Sequence, residues 1–593
     1  MESPDPKKTP AKEPIEDRQT LKTTRRQFWL ISKAFFASER RRKARGFLIA
    51  LLLLALAVGG VQVLMSYAGQ YFMTAINDKN PADYWKYLGW YLGTFALAVP
   101  IGVYYRWVEE RLALLWREWL AQHLVKRYFN NRAYFRLRGS ESVDNPDQRI
   151  SEDVRNFTTS SLAFLLIALN SLITLVAFIG VLWTISSLLV VVLVVYAIAG
   201  TVISILIGRK LVRLHYHQYE KEADFRYGLV RVRDNAESIA FYRGEKREHL
   251  DLFNRLTAAV ANMRLVIIRN RHLAFFTNSY NYLALILPLM IVAPMFMRGQ
   301  VQFGVVTQAA GAFASVLTAV SLIITQFGGL SSYLAGVQRL GSLWDQLDEH
   351  DAEEERIAYE NENQSEENSR MVKLDALTIC TPVVMKTLVE KLTFDLRVDQ
   401  SLIIMGASGT GKSSVLRTIA GLWPGACGFL ERPAADQLMF LPQRPYMVEG
   451  CLRDQLLYPY PDRGASDEEI LAVVEAVHLS DVLERVEGEL DRVVDWNNML
   501  SLGEQQRIAF ARLFLRKPKF AFLDEATSAL DEDNQEHLYR QIQESKIGYI
   551  SVGHRTTLIQ YHDRLLTLDR SGSWTIEDVE TEQPTPPQLA ETA

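Results

Sequence analysis

Apolar residues crowd into six runs before residue 330, at roughly 46 to 68, 86 to 105, 161 to 183, 186 to 208, 279 to 297 and 303 to 326. A helix needs about 20 residues to cross a bilayer, so the pattern predicts six membrane spans. The connections between the runs alternate in length. Those near residues 77–81, 184–186 and 298–300 are short, whereas those at about 107–159 and 209–278 are long, charged and rich in helix formers. Helical arms of about 25 residues, rising about 1.5 Å per residue, would project on the order of 35 Å from the membrane. Each pair is expected to turn at a polar tip such as residues 139–146.

The flanks of the runs carry further signals. Residues 1–24 are polar and rich in Pro and Lys, which predicts a disordered tail. From 25 to 344 the chain reads as the transmembrane domain. It opens with a stretch at 27–36 that mixes aromatics with basic neighbours, as a helix in the membrane interface does. Arg40, Arg41, Arg42, Lys43 and Arg45 precede the first run, so the positive-inside rule puts the N-terminus in the cytoplasm, and six spans return the C-terminus to that side. The long polar segment before the first run, and that run's length, argue against a cleavable signal peptide. Asn278, Ser279, Asn281, Gln308, Thr318, Ser321, Thr325 and Gln326 place polar groups in or beside the last two spans. Such groups face a wet cavity or the bundle interior, or bond back to their own helix. Pro288 and Pro294 are expected to bend the fifth span.

Residues 345–370 turn acidic and polar and read as a solvated linker. Residues 371–579 read as an α/β domain, and residues 580–593 as a polar tail. The net charge of −4 over 593 residues, with no basic tail or patch, argues against a nucleic-acid partner. Cys380, Cys427 and Cys451 have no paired spacing, so neither a disulfide framework nor a zinc site is indicated.

The candidate chemistry lies in the α/β domain. Gly406-Ala407-Ser408-Gly409-Thr410-Gly411-Lys412-Ser413 follows the apolar run 402–405 and precedes a helix-like segment that starts at Ser414. In that context the glycines let backbone N–H groups converge on a phosphate at a helix N-terminus, Lys412 reaches the β- and γ-phosphates and Ser413 ligates Mg²⁺. Gly406, Ser408, Gly409, Gly411, Lys412, Ser413 and Ser414 are therefore the candidate phosphate site of an ATP-binding protein. Farther on, the buried-strand run at 520–523 ends in Asp524 and Glu525. Asp524 is placed to hold the Mg²⁺, and Glu525 to orient and deprotonate an attacking water.

Between these stands Leu500-Ser501-Leu502-Gly503-Glu504-Gln505-Gln506-Arg507, opening a helix. Together with the two acids and Ala526-Thr527-Ser528-Ala529-Leu530-Asp531, it resembles the nucleotide-binding domain of ATP-binding-cassette (ABC) proteins. The fold this implies is a six-span α-helical transmembrane domain of exporter-type ABC architecture, followed by an α/β nucleotide-binding domain. The resemblance implies that Ser501 and Gly503 contact the γ-phosphate held by a second subunit. It makes Gln443 a coupling residue that also approaches the metal, Asp531 the acid of the D-loop and His554 a γ-phosphate contact. Two departures stand out: Leu502 replaces the usual first signature glycine, and residues 374–382 lack the aromatic that commonly stacks on adenine.

Several segments are similar to one branch, the subfamily D half-transporters with their bacterial BacA/SbmA-like relatives: Asp144 to Ile150, Asn235 to Glu245, Gly421-Leu422-Trp423-Pro424 and Leu441 to Met447. The expected partners are a second copy of the chain, the lipid bilayer and a transported molecule, either acyl-CoA or fatty acid, cobalamin or a peptide. The resemblance implies ATP-driven transport; one phosphate loop and one signature per chain lead to the expectation of a homodimer, and the lack of a visible organelle signal or extra domain to that of a bacterial inner membrane. An ATP-gated channel or regulatory membrane ATPase is the competing reading, and a soluble ABC ATPase acting on nucleic acid is disfavoured by the six spans.

Overall fold

The computed structural model describes residues 14–137, 145–325, 327–361, 371–381, 386–423, 426–460 and 464–579. It divides between Glu354 and Glu355 into two compact units.

The first unit is helical: α1 (Pro14–Ala37), α2 (Arg41–Asn77), α3 (Pro81–Phe129), the short α4 (Ala133–Leu137) and α5 (Pro146–Gln148), α6 (Val154–Ile185), α7 (Ser187–Asp234), α8 (Ala236–Tyr242), α9 (Glu245–Met297), α10 (Phe303–Thr325) and α11 (Phe327–Asn361). Six stretches among them are long and apolar enough to cross a membrane, and each overlaps one of the six apolar runs. The first short connection is a capped turn. Asn80 accepts from the N–H of Ala82 at 3.1 Å, and Pro81 takes the first helical position, where its missing donor and fixed φ cost nothing. The long helices continue past the spans: α7 runs on from Ile207 to Asp234 and packs against α9. Helix α9 is continuous through Pro288 and Pro294. The tip at 138–144 lies outside the described residues.

Helix α10 packs on α2, α6, α7 and α9. It approaches α2 so closely that a Cβ on Gly304 would lie 1.8 Å from the carbonyl oxygen of Gln70, while the Gly304 N–H donates to Thr74 Oγ1 at 3.1 Å.

Two boundaries differ from the sequence-based expectation. Helix order begins at Pro14, so disorder does not reach residue 24. Thr24, Gln27, Ile31 and Phe35 recur at helical spacing and are all buried. Phe35 stacks on Trp116 of α3, and Gln27 donates to Asp345 of α11. The outer face of α1 carries the exposed Trp29. Likewise α11 continues to Asn361 through much of the expected linker. Leu343, Trp344 and Leu347 are buried at helical spacing, and Asp348 pairs with Arg127 at 2.6 Å. Asp345 and Asp348 thus have partners that a solvated linker would lack. Residues 362–370 lie outside the described residues.

A π-helical turn at Arg149–Asp153 fixes the start of α6 to α11. Arg149 donates to the Arg339 carbonyl at 2.7 Å, and Arg339 returns a two-pronged contact to the buried Asp153 at 2.6 and 2.8 Å. Planar guanidinium and carboxylate groups match in this geometry.

The second unit contains eleven strands among the described residues. β1 (Met371–Cys380), β2 (Thr387–Arg397) and β4 (Ala426–Glu431) form an antiparallel sheet in the order β2-β1-β4. β3 (Ser401–Gly406), β5 (Leu438–Leu441), β8 (Phe520–Asp524), β9 (Gly548–Val552), β10 (Arg564–Leu568) and β11 (Trp574–Asp578) form a six-stranded sheet in the order β11-β10-β3-β9-β8-β5. All its pairings are parallel except that of the edge strand β11. β6 (Gly450–Cys451) and β7 (Val493–Val494) make a two-stranded ribbon. Around the sheets lie α12 (Lys412–Ile419), α13 (Leu452–Leu457), α14 (Asp467–Ala476), α15 (Ser480–Arg485), α16 (Trp496–Met499), α17 (Leu502–Arg516) and α18 (Glu532–Ser545). The central strands read as unbroken apolar runs because both their faces are covered: β9 is buried at all five positions and β8 at four of five.

Candidate nucleotide site

The parallel strands deliver their C-terminal ends to one edge of the sheet, the edge where open α/β sheets bind ligands. In the order β3, β9, β8, β5, those ends are followed by the glycine loop with Lys412 and Ser413, by His554, by Asp524 and Glu525, and by Gln443. Residues far apart in the chain thus become neighbours through strand order alone.

The glycine loop is shaped by backbone that other residues resist. Gly406, Gly409 and Gly411 have φ values of 149°, 83° and 98°. A Cβ on Gly406 would lie 2.5 Å from the carbonyl oxygen of Leu568, and one on Gly411 would lie 3.1 Å from Leu388 Cβ. Left-handed backbone and close approach are both things only glycine supplies without strain. Ser408 is exposed, whereas Ser414 is buried in the first turn of α12. Lys412 is buried too, and its Nζ curls back to donate to the carbonyls of Gly406 at 2.9 Å and Ala407 at 3.0 Å. Burial pulls the Lys412 ammonium below its ordinary pKa, partly offset by the charges of Glu525 and Asp524. A phosphate in the loop would offer this ammonium a charged partner in place of two carbonyls.

Ser413 Oγ donates to Asp524 Oδ1 at 2.8 Å. A hydroxyl and a carboxylate oxygen held together at a phosphate loop are hard donors of the kind Mg²⁺ takes, so this pair fits the metal.

Glu525 is held on both carboxylate oxygens. Gln443 Nε2 donates to Oε2 at 2.8 Å, and His554 Nε2 stands 3.1 Å from Oε1. Its backbone is left-handed (φ 51°), and its N–H donates to the Val552 carbonyl at 3.1 Å. The candidate base, the candidate coupling residue and the candidate histidine therefore form one cluster.

The signature and D-loop residues are arranged differently. Ser501 caps α17 in a reciprocal box: its Oγ accepts from the Glu504 N–H at 3.3 Å, and Glu504 Oε2 accepts from the Ser501 N–H at 2.8 Å. Arg485 pairs with Glu504. Contacts to Ser501 and Arg485 hold the Glu504 carboxyl below its usual range against the opposing effect of burial. A Cβ on Gly503 would lie 3.1 Å from the Ala529 carbonyl oxygen, which seats the signature against the D-loop. Asp531 caps α18, accepting from the Asn534 N–H at 2.8 Å, and that bond lowers its pKa.

Gln506, in the signature segment but given no role from sequence, ties these parts together. It is fully buried, donates to the Gln443 carbonyl at 2.9 Å and to Ser528 Oγ at 3.2 Å, and accepts from the Ala529 N–H at 3.1 Å. The signal was present in the pattern: Gln506 occupies an apolar stripe with Ala509, Phe510 and Leu513, where a helix calls for another apolar side chain.

Among the polar residues of the last two spans, Gln308 and Thr318 line a cavity in the membrane unit. Asn278, Ser279 and Asn281 are exposed on the outer surface of the chain. The side chains of Ser321 and Thr325, and Gln326 itself, lie outside the described residues. In the segment resembling subfamily D, Glu237 is exposed on α8, and Trp423 Nε1 donates to the Cys380 carbonyl at 2.8 Å.

Residues 31–297 match the family model of ABC transporter transmembrane region 2, and residues 389–528 match that of the ABC transporter. The chain belongs to the ABC transporter family. It is 42% identical over 557 residues to an ABC transporter ATP-binding protein of Synechocystis, covering 92% of this chain and 84% of the relative. It is 38% identical over 631 residues to ABC transporter D family member 2, chloroplastic, of Arabidopsis thaliana, covering 95% and 89%. To the lysosomal cobalamin transporter ABCD4 of Homo sapiens it is 35% identical over 503 residues, covering 79% and 82%. The subfamily D resemblance in the membrane and ATP-binding motifs therefore extends over nearly the whole ABC transporter chain, an integral multi-pass membrane protein of six apolar helices.

Proposed function

We propose that this ABC transporter works as a homodimer that hydrolyses ATP to move a hydrophobic or amphipathic molecule by alternating access. The observation that carries the reading is the cluster of Lys412, Ser413, Asp524, Glu525, Gln443 and His554 at one sheet edge. In this reading Gly406, Ser408, Gly409, Gly411, Lys412, Ser413 and Ser414 bind the ATP phosphates. Ser413, Asp524 and Gln443 would hold Mg²⁺, which when bound neutralises charge on the phosphates.

Glu525 is the general base: oriented by Gln443 and His554, its carboxylate takes the proton of the attacking water. His554 steadies the γ-phosphate. Ser501 and Gly503 complete the site of the other copy from an already capped helix end, and Asp531 holds the D-loop between them. One chain carries one phosphate loop and one signature, so two copies supply two composite sites. A carboxylate held on both oxygens suits turnover better than a gate, which needs only binding.

A relative's name points to cobalamin, and the subfamily D and BacA/SbmA-like resemblance adds fatty acyl-CoA or fatty acid and peptide as substrate classes. The basic run at Arg40–Arg45 supports cytoplasmic termini, and the similarity to bacterial half-transporters supports a bacterial inner membrane. The test is ATPase activity of the purified chain in lipid nanodiscs, wild type beside Glu525→Gln, with cyanocobalamin, oleoyl-CoA and a peptide added in turn. The expected result is stimulated wild-type turnover and a silent variant that retains ATP in a stable dimer. Undiminished turnover in the variant would sink the assignment.

A further inference from the structure

The membrane unit holds an open cavity of about 810 Å³ between α2, α3, α6 and α10. Its wall combines apolar side chains such as Met65 and Phe178 with amides and hydroxyls, and among the described residues it contains no Asp, Glu, Lys, Arg or His. Three of its polar residues carry an atom that is shut off from solvent and has no hydrogen-bond partner: Gln70 Oε1, Ser171 Oγ and Gln308 Nε2. Gln308 is only 6% exposed and Ser171 only 8%.

Buried polar atoms are nearly always paired, and an orphan carries a desolvation penalty. Three orphans in the wall of one cavity, on three different helices, call for an explanation. Because each has no bond to lose, turning toward an occupant gains a hydrogen bond without breaking one. The set offers an amide donor, an amide acceptor and a hydroxyl that does either. It offers no cation, and a phosphate or carboxylate buried among neutral groups loses its hydration without an ionic partner.

We propose that this cavity is the substrate site and that it takes a net-uncharged amphipath: an apolar body with an amide, carbonyl or hydroxyl head. The inference rests on the transporter reading above and selects within it, against a wholly enclosed anionic ligand such as an acyl phosphate ester.

The test uses the full-length chain in phosphatidylcholine nanodiscs, with a photoactivatable oleamide as probe and oleamide, oleyl phosphate and oleoyl-CoA as competitors. These share the chain length and differ in the charge of the head. The expected result is labelling of peptides from α2, α6 and α10, with oleamide competing about tenfold better than either anion. Gln308→Leu, which fits a buried wall, should weaken labelling several-fold to about tenfold, the range of one lost hydrogen bond. Ser171→Ala should weaken it about two- to fivefold on the same basis. Equal competition by the anions, labelling confined to other helices, or labelling unchanged in both variants would overturn the proposal. Loss of wild-type ATPase would instead count against the transporter reading, so the two failures are distinguishable.

Discussion

Gln443 Nε2 donates to Glu525 Oε2 at 2.8 Å, joining the loop after β5 to the acid that ends β8. The bond fixes the carboxylate before any nucleotide arrives, and His554 stands at the other oxygen. Gln443→Ala should weaken nucleotide binding only modestly, because Gly406 to Ser413 and the other metal-holding residue, Asp524, are untouched. It should lower kcat by about 10- to 100-fold, the penalty for a general base that is misoriented. Steady-state ATPase kinetics beside an equilibrium nucleotide-binding measurement would check it. A change confined to binding would contradict the positioning role.

Gln506 is a second joint, inside the ATP-binding domain. Leu at this position keeps the volume and the apolar stripe but leaves the Gln443 carbonyl and the Ala529 N–H without their present partner. An unsatisfied buried group costs about 1–3 kcal/mol. In a domain of some 200 residues, about 2 kcal/mol corresponds to a fall in Tm of about 4–8 °C. Differential scanning calorimetry of full-length Gln506→Leu should show that fall, together with reduced kcat as Gln443 loses its anchor. An unchanged Tm would show that the loops hold themselves.

The contrast between these two glutamines marks what sequence can reveal. Gln443 was legible from the resemblance of Leu441-Pro442-Gln443 to the ABC nucleotide-binding domain. Gln506 stood out only as a polar residue in an apolar stripe; its partners were hidden because they lie on two loops brought to α17 by the order of β5 and β8, which no local pattern states. The same holds in the membrane unit. Hydropathy placed the six spans because crossing a bilayer requires a run of apolar residues. It did not reveal that Thr24, Gln27, Ile31 and Phe35 bury one face of α1, because the polar residues among them diluted the apolar signal. The acidic stretch after Trp344 looked like linker because its partners Arg127 and Gln27 lie more than two hundred positions away. Ser501 and Asp531 were legible as motif residues, yet their side chains cap α17 and α18 within this chain. Any role across a dimer interface requires the second copy.

His562 gives the ATP-binding domain a defined response to acid. It is 2% exposed, with Nδ1 2.8 Å from the Leu558 carbonyl and Nε2 2.8 Å from Ser551 Oγ. A carbonyl only accepts, so the proton sits on Nδ1 and the neutral ring accepts the Ser551 hydroxyl at Nε2. Burial disfavours the imidazolium and pushes the pKa from 6.5 down to about 4. Below pH 6.5 the unfolded chain therefore binds a proton that the folded domain refuses. The stabilisation is fully present above pH 6.5 and is lost progressively as pH falls toward 4, about 3 kcal/mol in all and about 2 kcal/mol by pH 5. Calorimetry of the full-length chain at pH 7 and pH 5 should show wild type losing more stability than His562→Gln, whose amide can make both bonds without titrating. Equal losses in the two proteins would mean that the acid response comes from other groups.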